Sequence, residues 1–459
     1  MYRFRSVANL IGPYQELEKQ QIYFAALEEL NDPMEGMRRY YFRGDRVVWE
    51  NFFKHYLLCL EHVLLVSRVL PEDEAIKKED VPVFKSQRDL PTDMYQERIE
   101  NINDSFFSNR FVQSYLKVLI ENPNKIYMEE MYVHLKILSF EAIQAILEVD
   151  VQNGLFTYPE NKRFDRKDIA LDLDFPEPSE LYSDGEAYRE LMDTLYDLVK
   201  AWDNELLFKL KDSPKQQSIQ IEFPQMYLDS IVKLTYPEAF VACFMDNCSN
   251  SAIWGTYGVN HTGVCLKYNS DDKVNPALPL KTITGYSSNG FHHEYRQLPL
   301  RPIDYSSEFE DFDFFQNIGR LPQWQLIEQW YTDKKGKKSV CGEKFFDDID
   351  QWRKDYWNRY EKAFLKKLPE WSHEREYRII LSSALNTYSI KNNRLLEYKF
   401  EDLEAIIFGI RTPKEARTEI MEIVKRKCGE TGREHFKFYE MAYSTSTGKL
   451  YQRKLNFLG

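Results

Sequence analysis

Cysteine is scarce in this chain of 459 residues, which has only six. The six are scattered and lack the Cys-x-x-Cys spacing that is typical of zinc ribbons. A disulfide-stabilised secreted domain would carry cysteines far more densely, so the sequence indicates free and mostly buried thiols. A Walker-type glycine loop is also missing, which argues against that kind of phosphate site.

Positive charge is in short supply as well. The chain has 61 Lys and Arg against 73 Asp and Glu, a formal net charge of -12. Proteins that bind the phosphate backbone of nucleic acids need a broad basic surface to displace its counterions. The composition therefore argues against bulk nucleic-acid binding.

Long uninterrupted apolar runs are absent too. The longest candidate, residues 47–70, contains Glu50, Lys54, Glu61 and Arg68, which a membrane span rarely carries. The first residues show no cationic stretch followed by an apolar core, so no secretory signal is expected. We therefore predict a cytoplasmic protein without membrane contact, in which residues 47–70 form a buried or partner-facing helix.

The composition is that of a folded protein, with 43% hydrophobic and 29% charged residues. Its length exceeds what one hydrophobic core usually holds. The patterns predict an α+β fold, in which a mixed or antiparallel β core carries a large helical insertion. We expect the core at residues 1–44 and 216–459, ending in a helix and a strand, and the insertion at 45–215. The alternating stretch 218–223 is predicted to be a strand of this core.

The stretch from residue 371 to 381 carries the most informative charges. As a strand it would place Glu374, Glu376 and Arg378 on one face. Like charges on alternate residues raise each other's pKa, so solvent, a cation or a ligand must relieve their repulsion. Two readings stay open, a solvated edge strand and a functional site in which Arg378 is the relieving cation.

Three other polar segments could contribute to such a site. Trp254, Tyr257 and His261 lie between two predicted strands, where aromatic rings suit either a flat heterocycle or a core. Asn31 and Asp32 open an Asn-Asp-Pro turn, either a capping turn or part of a site. In His292-His293-Glu294 the two histidines would point to opposite faces of a strand, so we expect no shared metal there.

Taken in chain order, these segments resemble the bacterial domain-of-unknown-function family twenty-nine seventy-one. The sequence departs from the family pattern at Met245, where the family has Ser, and at Thr256, where it commonly has His. The resemblance does not cover the helical insertion. The matching pieces are Tyr2–Arg5, residues 31–35, Cys243 with Phe244, Trp254 with Tyr257, residues 260–265, and Trp371 with Glu374, Glu376 and Arg378.

The order of a polar first strand, an aromatic segment and a late Glu-x-Glu strand is also similar to the ADP-ribosyltransferase plan. This similarity implies an enzyme that uses NAD as substrate and needs no metal, either a transferase or an NAD glycohydrolase. Glu376 would stabilise the positive charge that develops on the ribose, and Glu374 would orient the acceptor, which is a protein, a nucleic acid or water. Such an enzyme would suit a toxin or an antiphage-defence effector. The implied catalytic residues are Glu376, Glu374 and Arg378, and the implied cofactor-binding residues are Arg3, Arg5, Trp254, Tyr257, His261, Asn31 and Asp32.

Two alternatives remain open. Asp32, Glu374 and Glu376 could bind a divalent metal for phosphodiester hydrolysis, although such nucleases usually have Lys where this chain has Arg378. A second alternative is a binding or sensor module without catalysis, in which the helical insertion contacts a protein partner.

Overall fold

The structure is a computed structural model that describes residues 1–32, 34–71, 73–155, 178–270, 274–306, 310–383 and 386–455. The strands are β1 (Tyr2–Arg5), β2 (Gln21–Tyr23), β3 (Arg39–Phe42), β4 (Ile126–Tyr127), β5 (Ala239–Met245), β6 (Val264–Tyr268), β7 (Ala277–Ser287), β8 (Gly290–Pro299), β9 (Arg301–Pro302), β10 (Asp311–Asp313), β11 (Glu376–Ser382), β12 (Leu395–Tyr398), β13 (Leu403–Phe408), β14 (Lys437–Tyr443) and β15 (Leu450–Lys454).

The α-helices take up a larger share of the described residues than the strands do. They are α1 (Val7–Ile11), α2 (Glu16–Lys19), α3 (Arg46–Val69), α4 (Asp93–Ser108), α5 (Arg110–Glu121), α6 (Met128–Gln152), α7 (Pro178–Leu181), α8 (Gly185–Lys209), α9 (Pro214–Gln217), α10 (Phe223–Ile231), α11 (Ser251–Thr256), α12 (Gln323–Leu326), α13 (Glu343–Asp347), α14 (Ile349–Phe364) and α15 (Lys414–Thr431). The predicted α+β class with a mixed and antiparallel sheet is confirmed.

The chain forms two compact units, each assembled from separate stretches. The sheet unit comprises residues 1–37, 237–309 and 359–459, and the helical unit comprises residues 38–236 and 310–358. The helical insertion predicted from the sequence, residues 45–215, is shorter than this helical unit. Residues 310–358 belong to the helical unit, although more than seventy residues of the sheet unit separate them from its first part. No change of composition in the sequence marks the point where the chain re-enters the helical unit.

The sheet unit contains an eight-stranded sheet in the order β15-β14-β13-β6-β1-β5-β11-β9. Its neighbours are antiparallel except β13 and β14, which run parallel and are connected through α15. A second, antiparallel sheet has the order β2-β12-β7-β8. Phe244 and Ile379 of the first sheet and Leu280 and Leu396 of the second share one buried core.

The other face of the eight-stranded sheet packs a smaller core around Phe4, Trp254 and Cys265. Successive side chains of a strand point to opposite faces. Phe4 and its neighbour Arg3 therefore lie on different sides of this sheet. This alternation decides which of the predicted site residues meet.

The helical unit is organised around α3, which confirms the buried helix predicted at residues 47–70. Asp45 caps its first turn by accepting a hydrogen bond from the Val48 amide at 3.3 Å. Trp49, Phe52 and Phe53 are completely buried. Searched over the described residues, no helix is long and apolar enough to span a bilayer.

The strand predicted at residues 218–223 is wrong, because these residues continue the helical path from α9 into α10. Ile219 and Ile221, which produce the alternating pattern, are both buried. A helix that is packed on several sides carries apolar residues all round, and a short stretch of it can imitate the period of a strand.

A buried ion pair network links three helices of the helical unit. Arg98 of α4 donates to Asp150 of α6 at 3.1 Å and pairs with Glu61 of α3. Asp150 also pairs with Arg68. Burial strips water from both carboxylates, so the guanidinium of Arg98 has to replace that hydration.

We expect Arg98→Met to lower the free energy of unfolding by about 3–5 kcal/mol, because it leaves Glu61 buried without its cation. Lys209→Met is the matched control, since Lys209 pairs with Glu205 on the exposed surface of α8 and should cost less than about 1 kcal/mol. Chemical denaturation of both variants measures the difference. Equal effects would contradict a stabilising role for the Arg98 network.

Candidate functional site

The charged stretch of residues 371–381 is only partly a strand. Strand β11 begins at Glu376, and Glu374 ends a short helical turn, Pro369–Glu374. Arg375 between them has a φ of 49° in the left-handed region. The prediction that Glu374 shares a strand with Glu376 and Arg378 is therefore wrong, although all three carry their charge to one place.

Strand β11 lies between β5 and β9 and is not an edge strand. Arg378 is 0% exposed and Glu376 is 3% exposed, so the reading as a solvated charged face is also wrong. Arg378 donates from Nε to Glu376 Oε1 at 2.7 Å and from Nη2 to Oε2 at 3.1 Å. This bidentate contact brings a positive charge to Glu376 and so relieves the repulsion between carboxylates that is expected from the sequence.

Two further charged residues complete the arrangement, and neither was among the predicted site residues. Glu35 pairs with Arg378, and Lys367 lies 2.7 Å from Glu374 Oε2, 2.9 Å from Glu35 Oε1 and 3.3 Å from Glu376 Oε2. We call these five side chains the ion cluster. All of them belong to the sheet unit.

The sequence held a signal for one of the two. Glu35 is part of the segment 31–35 that resembles the family, although only Asn31 and Asp32 of this segment are predicted site residues. Lys367 lies in a Lys-Lys pair seven residues before Glu374, where a surface lysine is the ordinary expectation. Only the folded chain shows that its ammonium group is buried.

Several neutral groups fix the ion cluster in place. Tyr257 donates its hydroxyl hydrogen to Glu374 Oε1 at 2.7 Å, and the Glu376 amide donates to the Tyr305 hydroxyl at 2.7 Å. Arg378 Nη1 donates to the Phe364 carbonyl at 2.9 Å. The ring of Trp371, which is half-buried, lies 4.7 Å from Lys367 Nζ.

The electrostatic environment treats the carboxylates differently. Burial raises the pKa of Glu35 above its ordinary value, even though Arg378 and Lys367 oppose this. Burial acts to raise the pKa of Glu376, but the charge and hydrogen bonds of Arg378, together with Lys367 and Cys243, lower it below its ordinary value. Burial raises the pKa of Tyr257, which therefore stays protonated and donates. The ion cluster thus holds three carboxyl groups against two cations, and with all three carboxyl groups ionised it is short of one positive charge.

The predicted aromatic unit is only partly available to a ligand. Trp254 is completely buried, donates from Nε1 to the Cys248 carbonyl at 2.7 Å, and contacts the Phe4 ring edge-on. The ring of His261 is nearly parallel to the ring of Trp254, and the two ring centroids are 6.4 Å apart. Trp254 is therefore a core residue, and Tyr257 is the member of this unit that reaches the ion cluster.

The two arginines that were predicted to bind the cofactor lie elsewhere. Arg3 donates to the Tyr23 carbonyl at 2.9 Å and covers the ring of Phe244, on the face of the sheet that carries the larger core. Arg5 donates to Glu16 at 2.6 Å. The ion cluster is on the opposite face, where the Cys243 thiol hydrogen-bonds to Glu376. Arg3 and Arg5 therefore do not meet the cluster.

The turn that precedes Glu35 acts on it through the backbone. The Glu35 amide donates to the Asp32 carbonyl at 3.1 Å, and Asp32 Oδ1 accepts from the Met34 amide at 2.9 Å. Asp32 is buried and Asn31 is exposed, while Pro33 lies outside the described residues. This asparagine-aspartate turn places Glu35 against Arg378.

A divalent metal does not fit this set of donors well. Each carboxylate of the cluster already faces Lys367 or Arg378, so a metal would have to displace a cation that is in place. Within the described ranges, no group of three or more His, Cys, Asp or Glu side chains has the arrangement of metal ligands.

The described residues thus define an α+β protein whose main sheet buries an ion cluster on one face. Residues 253–379 match the family described as Protein of unknown function (DUF2971), which confirms the family resemblance. The matched stretch contains four members of the ion cluster, Lys367, Glu374, Glu376 and Arg378, together with Tyr257. Neither the curated proteins nor the solved structures contain a match to the chain.

We expect Lys367→Met to lower the free energy of unfolding at neutral pH by about 3–5 kcal/mol, because three buried carboxyl groups would then share one guanidinium. The loss should shrink as the pH falls to about 5. A carboxyl group whose pKa is raised in the folded state favours folding when protonated and opposes it when ionised.

Denaturation curves at the two pH values test this, with Lys366→Met as the control, since Lys366 lies 4.0 Å from Asp304 outside the cluster. A loss of stability in Lys367→Met that does not depend on pH would argue against the charge deficit.

Proposed function

We propose that the sheet unit acts on NAD at the bond between nicotinamide and ribose, as an ADP-ribosyltransferase-like or NAD-glycohydrolase-like enzyme. The observation that carries this proposal is the missing positive charge of the ion cluster. The nicotinamide ring of NAD is a cation, and the transition state for its loss places positive charge on the ribose. Either of them would bring positive charge to a cluster in which carboxyl groups outnumber cations.

Glu376 is the carboxylate that we assign to the transition state. Its lowered pKa keeps it ionised at neutral pH, and its two hydrogen bonds from Arg378 hold the carboxylate in one orientation. The backbone amide of Glu376 donates to the Tyr305 hydroxyl and so fixes the main chain at this position. A fixed charge stabilises a developing cation without the reorganisation that water would need. Glu374, held by Tyr257, is the residue that we assign to orienting the acceptor.

Access to Glu376 requires the displacement of one cation, because all five charged groups are buried. Lys367 is the better candidate. It makes contacts from a single ammonium group on the loop after α14, whereas Arg378 lies in β11, which is paired on both sides, and also donates to the Phe364 carbonyl. The Trp371 ring that now covers Lys367 would then offer its face to the nicotinamide cation.

Consumption of NAD would arrest a cell, so a toxin or an antiphage-defence effector is the biological role that we propose for this activity. The acceptor in this proposal is water, a protein or a nucleic acid. A leaving nicotinamide is common to all three, which makes its release the first thing to measure.

A binding or sensor module without catalysis is the second candidate function. The complete burial of the cluster favours it, since a closed ion cluster can serve to define one folded state. The metal-dependent nuclease finds less support, because the carboxylates it needs are paired with Lys367 and Arg378.

Glu376→Gln should abolish nicotinamide release and leave the affinity for NAD within roughly threefold, because the change removes a charge that matters most in the transition state. Chromatography of NAD incubations measures release, and calorimetry measures binding. Glu401→Gln is the control, since Glu401 is exposed and pairs with Lys399.

A parallel set with magnesium and plasmid DNA tests the nuclease. Full activity of the Glu376→Gln protein would remove Glu376 from the mechanism. No release by the wild type, even with a cell lysate as the source of acceptors, would favour the binding module.

A further inference from the structure

Strand β8 is the outer strand of the four-stranded sheet in the sheet unit. It is ten residues long, and it pairs with β7 from Gly290 opposite Ser287 to Pro299 opposite Ala277. The described residues place no strand on its other side. The amide and carbonyl groups along that side are therefore open to another chain.

Natural proteins usually protect such an edge with charged side chains, proline, bulges or a short strand, and β8 has only the charges of Glu294 and Arg296. It is long, and proline occurs only at its last position. The bulge between Ile283 and Gly285 lies in β7, so the run of β8 itself is uninterrupted. Phe291 and Tyr295 are 40% and 42% exposed on the same face. These are features of a strand that receives a partner.

We propose that the partner is a second copy of this chain, whose β8 pairs antiparallel with the first about a twofold axis through Tyr295. In this register Tyr295 lies opposite its own copy. Glu294 lies opposite Arg296 of the other copy, and because of the symmetry this pair occurs twice. Directly opposite side chains of antiparallel strands have Cβ atoms about 4.5–5.5 Å apart, which suits an ion pair and an aromatic pair.

The charges also exclude the neighbouring registers. A shift that centres the pairing on Glu294 places two glutamates opposite each other, and a shift that centres it on Arg296 places two arginines opposite each other. Both shifts keep the same residues on the same face, so they are the direct competitors. The register about Tyr295 is thus attractive and is flanked on both sides by repulsive ones.

Both charges are available for this contact. Glu294 and Arg296 are highly exposed, and within one chain they form an exposed ion pair with each other at 3.7 Å, which the pairing between two copies would replace. This self-complementarity is the reason why we infer a second copy and not a different protein.

The test is the oligomeric state of the full chain by analytical ultracentrifugation. The wild type should form a dimer. Arg296→Glu and Glu294→Arg should each weaken it by roughly tenfold or more in dissociation constant, because each places like charges opposite each other. The double variant Glu294→Arg with Arg296→Glu should restore dimerisation to within roughly threefold, since the pair is only exchanged.

A second measurement locates the axis. Tyr295→Cys places two thiols opposite each other and should give a covalent dimer when diamide oxidises them to a disulfide. Gln297→Cys should not, because its partner in this register is His293. The wild type, with its native cysteines, is treated in the same way as the reference.

Circular dichroism and thermal unfolding check that every variant is folded. A wild type that stays monomeric at all accessible concentrations would overturn the proposal, and the edge would then be open to a different partner. The proposal would also be overturned if neither single charge reversal changed the dissociation constant of the dimer, or if the double variant did not restore dimerisation.

Discussion

A carboxylate that leaves water loses several kcal/mol of hydration, and only a well-placed cation with additional hydrogen bonds makes up for it. The sheet unit meets this constraint with Arg378, whose guanidinium reaches Glu376, Glu35 and the Phe364 carbonyl at once. Lys367 does the same for Glu374 from the other side. Segments that are more than three hundred residues apart in sequence are thereby held together, so the geometry of this face depends on the ion cluster.

The sheet determines what the ion cluster can contact. Strand β11 pairs with β5 over seven residues, from Glu376 opposite Met245 to Ser382 opposite Ala239. This register puts Glu376 and Arg378 on the face that carries α11 and Tyr257, and it leaves Arg3 on the other face with the larger core. Any chemistry at the cluster must therefore use groups of its own face. That is why the proposed mechanism uses Tyr257 and Trp371 and not Arg3 and Arg5.

Features that depend on neighbouring residues in the sequence were predicted correctly more often than features that depend on contacts between distant residues. The buried helix α3 and the α+β class were predictable, because hydrophobic period and length are local properties. Glu376 and Arg378 share a face as expected, for the same reason. The strand at 218–223 failed because packing on several sides imitated an alternating pattern. Lys367 was missed because nothing near it in the sequence distinguishes a buried ammonium group from a surface one.

The sequence by itself determined the ingredients, namely the paired carboxylates with an arginine two residues on, the Asn-Asp turn before Glu35, and the family resemblance that residues 253–379 confirm. Only the tertiary structure decided that Glu35 and Lys367 join them, that Trp254 is part of a core, and that Arg3 and Arg5 face away. The physical reason is that alternation along a strand is a local rule. The charge balance of a buried site, in contrast, is a sum over side chains that only the folded chain brings together.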